Sequence, residues 1–124
     1  MQVACGIMKN KNGKILLGLR PDDKPDPGYW EFPGGKKEIN ESINDCLKRE
    51  WMEELELNIE ILKEVVVINS GKYICTFFEG KILNEDQIKM NVHKEIGFFC
   101  KDEIRKMKLF EEDYSVIDKI SDDQ

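Results

Sequence analysis

Apolar residues dominate positions 2–9 and 14–19, and the polar stretch Asn10-Lys11-Asn12-Gly13 between them marks a hairpin joining two strands. Residues 20–30 carry three prolines and end near Gly28, so they form an irregular loop, a candidate flap over whatever site lies beneath. A different period follows: Ile43, Leu47, Trp51 and Leu55 recur every four residues with Cys46 beside them, which predicts a helix with one buried stripe. Ser42 and Asp45 fit a capping box at its start, and Asn40-Glu41 brings a carboxylate to the positive end of the helix dipole. Ile59 to Asn69, a Ser70-Gly71 turn and Lys72 to Leu83 read as a long hairpin. After a polar loop over 84–92, the pattern predicts a strand over 94–100, a short helix over 101–107 and a closing helix over 110–120 that turns Val116, Ile117 and Ile120 inward. This order implies an α/β fold with a mixed sheet between helices. No repeat, linker or low-complexity tract divides the chain, so one domain over residues 1–124 is expected.

Composition narrows the possible partners. The formal charge of −6 argues against a nucleic-acid polymer or an anionic membrane held by a basic surface. Four cysteines, Cys5, Cys46, Cys75 and Cys100, show no C-x-x-C pairing and are read as reduced residues, three of them in apolar patterns. With no signal peptide and no long apolar span, a cytoplasmic location is expected. His93, the single histidine, has no Cys or His at ligand spacing and is read as a surface or strand residue. It also lacks a recognisable triad pattern, which argues against a Ser or Cys nucleophile.

The chemistry concentrates on the predicted helix. Glu50, Glu53 and Glu54 stand at i, i+3 and i+4, so three carboxylates leave one face beside the core stripe. No Lys or Arg follows any of them by four residues to neutralise it. A solvated helix face is the ordinary explanation of a charge run. Carboxylates so placed also suit a hard divalent cation such as Mg2+, which commonly bridges a few of them to substrate phosphates. Just upstream, Phe32-Pro33-Gly34-Gly35-Lys36 is a turn whose bare backbone lets carbonyls or amides approach a metal or phosphate.

Gly35, five residues, Glu41, seven residues and then Arg49-Glu50-Trp51-Met52-Glu53-Glu54-Leu55-Glu56-Leu57 resembles the Nudix box, G-x5-E-x7-R-E-U-x-E-E-x-G-U with U aliphatic. Two positions depart from it. Trp51 replaces an aliphatic residue. Glu56 replaces the glycine that ends the helix in a left-handed turn, a change costing about 1 kcal/mol that Asn58 is expected to relieve by taking over the turn. Upstream, Leu16 to Arg20 and Tyr29 to Lys36 are similar to the MutT-type branch, as are His93 to Phe98 and Glu112 to Ile117 downstream.

This resemblance implies an α/β/α sandwich and an enzyme hydrolysing a (deoxy)nucleoside triphosphate, including oxidised forms such as 8-oxo-dGTP, to a monophosphate and pyrophosphate. Such an enzyme would serve nucleotide-pool sanitation and DNA repair. Mg2+, or Mn2+, would be held by Glu50, Glu53, Glu54 and the Gly34 carbonyl. Glu50 is the favoured general base, with Glu95 the alternative. Arg49 would pair with a carboxylate and keep the cluster in register, while Glu41 would orient or supplement it. Arg20 and Lys36 would meet phosphates. Glu31, Phe32 and Asp113 would form the base pocket, with Tyr73 or Phe78 stacking. The best-known bacterial 8-oxo-dGTP enzymes carry Asn where this chain has Asp113. An ionised Asp only accepts hydrogen bonds, which suits bases that offer donors, including cytosine derivatives; a protonated one could donate again. Read from the residues alone, Asp113 is equally an exposed cap of the last helix. Other readings are hydrolysis of a dinucleoside polyphosphate, weakly suggested by Tyr73, and a non-catalytic nucleotide-sensing module. The expected partner is the nucleotide, with the chain a monomer or homodimer.

Overall fold

In the computed structural model, which describes residues 1–122, seven strands, three helices and one 3-10 turn follow in chain order. The strands are β1 (Gln2–Lys9), β2 (Ile15–Leu19), β3 (Trp30–Glu31), β4 (Gly34–Lys36), β5 (Ile59–Asn69), β6 (Ile74–Ile82) and β7 (Glu95–Phe99). The helices are α1 (Ile43–Leu55), α2 (Lys101–Arg105) and α3 (Asp113–Ile117), and the 3-10 turn spans Glu85–Gln87. The two hairpins, the central helix and the closing helices stand where the apolar pattern put them. The last two helices are shorter than expected, and β3 and β4 arise within a Gly- and Pro-rich stretch whose pattern gave no strand.

The sheet is mixed. β1 runs parallel to β6, and all other pairs are antiparallel. β1 and β2 meet at Lys9 and Ile15, with no further registered pair, and residues 30–36 fill the space beyond: β3 pairs with β2, and β4 pairs with β1. The Pro33 carbonyl between them accepts from the Gly6 amide at 2.9 Å. That wedge places Gly34 and Gly35, expected as a turn but found paired with β1 in β4, against the middle of the sheet, facing α1.

Side-chain alternation along the strands divides the core in two. Ala4, Met8, Leu16 and Phe78 pack with Cys46, Leu47, Trp51 and Leu55 beneath α1. Ile7, Ile15, Leu17 and Phe77 pack on the opposite face with Ile104, Val116, Ile117 and Ile120 from the α2 and α3 region. A sheet lying between two helical layers is the α/β/α sandwich expected. Burying a large apolar side chain contributes about 1.5–3 kcal/mol, so Trp51, fully buried, anchors α1 strongly. Its indole also donates to the Pro33 carbonyl at 2.8 Å, fixing the helix to the turn that precedes it. A Cβ on Gly6 would collide with that indole, so the tryptophan is matched by a missing side chain opposite.

At its start, α1 is capped by Ser42, which accepts from the Asp45 amide at 3.0 Å. At its end the expectation for Asn58 is overturned: Glu56 itself takes the left-handed conformation, with φ 54° and ψ 38°. The strain is held by neighbours. The Glu56 carboxylate accepts from Asn91 Nδ2 at 2.9 Å and its carbonyl accepts from Asn84 Nδ2 at 3.3 Å, while the Asn58 amide donates to Asn84 Oδ1 at 2.7 Å. Among the described residues no helix is long and apolar enough to cross a membrane.

Candidate active site

The carboxylates of α1 gather around Arg49. Its Nε and Nη2 donate to the two oxygens of Glu41 at 3.0 and 2.9 Å, a bidentate pair, and Nη1 reaches Glu50 Oε2 and Glu53 Oε1 at 3.2 Å each. Nη2 also donates to the Lys36 carbonyl at 3.2 Å, tying the helix to the end of β4. The cationic partner missing downstream of the glutamates therefore lies upstream, four residues before Glu53. Hydrogen bonds from Arg49 hold the Glu41 carboxyl at about 2, so this group stays ionised at any physiological pH.

Glu54 is in the reverse situation. Burial, then the hydrogen bond and charge of Glu50, push its carboxyl up to about 9, and its Oε1 is buried with no hydrogen-bond partner among the described residues. Gly35 sets the spacing, since a Cβ there would overlap the Glu50 carboxylate. Among the described residues no three Asp, Glu, His or Cys side chains already form a metal cage. The donor set nevertheless fits a hard cation: closely spaced carboxylates, one oxygen buried and unpaired, and a bare Gly-Gly backbone beside them. Glu53, with 57% of its side chain exposed, has room to turn toward such an ion.

On the other side of the Gly34-Gly35 backbone of β4 lies a cavity of about 590 Å³. Arg20, Glu31, Phe32, Gly34, Lys36, Tyr73 and Asp113 all line it, together with Cys5, Ile68, Cys75, Phe77, Phe110 and Glu112. Burial, then the charges of Glu112 and Glu31, raise Asp113 from its ordinary 3.8 to about 7. It stands at the first position of α3, after the cap residue Glu112, and lines the cavity. Burial works to raise Glu31 too, but hydrogen bonds from His93 and Arg20 outweigh it and leave the carboxyl below its usual range.

Several expected positions change. Phe78 packs in the core beneath α1, and its neighbour Phe77, on the opposite face of the same strand, lines the cavity. His93 is no surface residue: its imidazole is fully buried, with Nε2 2.8 Å from Glu31 Oε2. Glu95 opens β7 opposite Leu19 and is exposed, with no side-chain hydrogen bond or ion pair among the described residues. Arg20 is paired with Glu31 at 2.7 Å and lies over the Phe110 ring at 5.6 Å. Lys36 lies 5.7 Å over Tyr73, at the cavity. The cysteines are free thiols; Cys46 is buried beneath α1, Cys5 and Cys75 line the cavity, and Cys100 is exposed. The pattern of the chain gave no sign of the Tyr29–Phe110 stack, with centroids 4.8 Å apart, because its partners come from a loop and from a segment read as the start of the closing helix.

Comparison with known families decides what this arrangement is. The NUDIX domain profile matches residues 1–120. The chain belongs to the Nudix family. Over 81 residues, covering 63% of this chain and 60% of the relative, it is 37% identical to an 8-oxo-dGTP diphosphatase of Haemophilus influenzae. Over 55 residues, 44% of this chain and 40% of the relative, it is 46% identical to a CTP pyrophosphohydrolase of Escherichia coli K12. The chain thus spans 40 to 60% of the length of these two Nudix relatives. In three dimensions it resembles the MutT protein of Methanosarcina mazei, with a TM-score of 0.84 over 95% of this chain and 90% of that one at 21% identity, a likeness of fold. Nudix hydrolases generally use divalent metal ions, in keeping with the carboxylate face of α1.

Proposed function

We propose that this Nudix protein hydrolyses a nucleoside triphosphate to a nucleoside monophosphate and pyrophosphate, with the base in the 590 Å³ cavity and the triphosphate drawn across the Gly34-Gly35 backbone of β4 onto α1. The observation that carries the reading is this adjacency: a base-sized, partly aromatic cavity and a crowded carboxylate cluster share the two glycines as their common wall.

A divalent ion, Mg2+ or Mn2+, would be held by Glu50, Glu53, Glu54 and the Gly34 carbonyl, and it would offset phosphoryl charge and acidify a bound water. Glu50 would take the proton of the attacking water. Its Oε2 accepts from Arg49 at 3.2 Å, which holds that side of the carboxylate in place. Its contact with Glu54 makes it a better base candidate than exposed Glu95. Water adds to the β-phosphorus as the bond to the α,β-bridging oxygen breaks, and the monophosphate leaves with that oxygen. Lys36 and Arg20 meet the remaining phosphate charge. Arg49 and Glu41 act as a brace, keeping Glu50 and Glu53 from turning into solvent.

Base choice depends on Asp113 and Glu31. Ionised, Asp113 accepts from the amino group of cytosine or from the N–H edge of guanine; protonated, it donates to a carbonyl such as guanine O6. Since it titrates near 7, both forms are accessible, which supports guanine-type and cytosine-type nucleotides as the classes to test. A panel of normal, 8-oxo and methylated nucleoside triphosphates, assayed with Mg2+ and with Mn2+ for pyrophosphate against phosphate release, tests the proposal. Preferred turnover of a dinucleoside polyphosphate would favour the other substrate class. Tight nucleotide binding without turnover would make the protein a sensing module.

A further inference from the structure

Between the cavity and the carboxylate helix, side chains from three segments meet: Glu31 from β3, His93 from the stretch before β7, and Glu54 from α1. His93 Nε2 lies 2.8 Å from Glu31 Oε2 and 3.8 Å from Glu54 Oε1. Its ring is sealed from solvent, and it sits where a Cβ on Gly18 would overlap it, so β2 leaves a slot one imidazole wide. On the cavity side, Glu31 is gripped by Arg20, which lies over Phe110. On the metal side, Glu54 lies one helical turn after Glu50, close enough for the two carboxyls to interact. The same segment grips the helix backbone as well, since Asn91 donates through its amide to the Glu54 carbonyl and through Nδ2 to the Glu53 carbonyl, both at 3.1 Å. Neither His93 Nδ1 nor Glu54 Oε1 has a hydrogen-bond partner among the described residues, an expensive arrangement for a residue whose only task is to fill space.

We propose that His93 is a positioning residue that couples occupancy of the base cavity to the setting of Glu54 on the metal-binding face. The inference rests on the proposed function, because it needs a base on one side and a cation on the other. A base that draws on Glu31 changes the hydrogen bond that Glu31 accepts from His93. The packed ring cannot swing aside, so the change is passed to the Glu54 oxygen facing the same nitrogen. By linkage the effect is reciprocal: cation binding at Glu54 alters the affinity of the cavity for the base by the same factor.

Mn2+ titration followed by electron paramagnetic resonance, with and without saturating 2′-deoxyguanosine or 2′-deoxycytidine, reads this coupling directly. These nucleosides carry no phosphate, so they cannot chelate the ion and any effect passes through the protein. In the wild type, the preferred nucleoside is expected to shift Mn2+ affinity about 5-fold or more. In His93→Leu the shift should vanish while each ligand still binds alone. His93→Gln, which keeps an N–H donor, should restore much of it. If His93→Leu does not fold, His93→Asn, too short to span Glu31 and Glu54, serves in its place. An unchanged shift without the imidazole, or no shift in a wild type that binds both ligands, overturns the coupling and leaves the proposed function standing. A wild type that binds Mn2+ but neither nucleoside overturns this inference alone, whereas failure to bind Mn2+ overturns the proposed function and this inference with it.

Discussion

At the scale of single residues, burial and neighbouring carboxylates raise the pKa values of two carboxyls, one on each side of β4. Glu54 is pushed up to about 9 by burial and by the carboxylates around it, which is the situation a divalent cation relieves. Glu53, largely exposed on the same face, makes the cleaner test of the metal assignment, because changing it disturbs little packing. Glu53→Gln is expected to lower kcat by about 100-fold or more, the scale on which removing one catalytic group is felt, with an unchanged melting curve. Wild-type turnover in that variant would remove Glu53 from the site. Asp113 is raised to about 7 by burial and by Glu112 and Glu31. Folding therefore favours its protonated form; this contribution to stability is complete below about 3.8 and is lost as the pH rises through about 7. Asp113→Asn should flatten the decline in stability between those two values, as measured by urea unfolding at a series of pH values. The same titration should appear in specificity. The kcat/KM ratio of a cytosine to a guanine nucleotide should rise with pH through about 7 in the wild type and stay level in Asp113→Asn. A ratio cancels whatever the metal site does with pH, so it isolates the pocket.

At the scale of elements, α1 is positioned at both ends by unusual means. Its start is capped by Ser42, and its middle is tied to either side of Gly34-Gly35, through Trp51 to the Pro33 carbonyl and through Arg49 to the Lys36 carbonyl. Gly35→Ala would drive a methyl group into the Glu50 carboxylate, so it should cost activity well before it costs folding. A kcat loss of about 10-fold or more beside a small change in melting temperature is the expected outcome, one such factor corresponding to about 1.4 kcal/mol of barrier. At the other end, Glu56 bears a left-handed conformation that only glycine adopts freely. Relief of that strain, about 1 kcal/mol, outweighs one exposed hydrogen bond to Asn91, so Glu56→Gly should raise stability by up to about 1 kcal/mol in chemical denaturation. Loss of stability would mean that the Asn84 and Asn91 contacts have made glutamate the better residue here.

At the scale of the whole molecule, the sheet separates two cores, and its central wedge brings a cavity and a carboxylate helix to one wall. Much of this was legible in the chain. The apolar runs of β1, β2, β5 and β6 between their turn signals and the four-residue period of α1 follow directly from burial on one or both faces. The spacing of Glu50, Glu53 and Glu54 places them on one helix face whatever the tertiary structure. What escaped depends on contacts distant in sequence. Phe77 and Phe78 are equally apolar, and only strand register decides which of them meets the cavity. His93 stands in a polar stretch and looks solvated until Gly18 on β2 provides its slot. β3 and β4 owe their existence to the divergence of β1 and β2 and not to their own composition. Phe110 and Tyr29 become a stacked pair only when the segment before α3 folds back over the loop after β2. The net charge of −6 adds a requirement at this scale: a polyanionic substrate is repelled by most of the surface and must be held by Arg20, Lys36 and a cation in one place. Hydrolysis of the best nucleoside triphosphate in ¹⁸O-labelled water with Mg2+, with products resolved by mass spectrometry, tests the whole arrangement most directly. Nucleoside monophosphate together with ¹⁸O-labelled pyrophosphate is the predicted result. Nucleoside diphosphate with inorganic phosphate, or no turnover of any nucleotide with either Mg2+ or Mn2+, would contradict it.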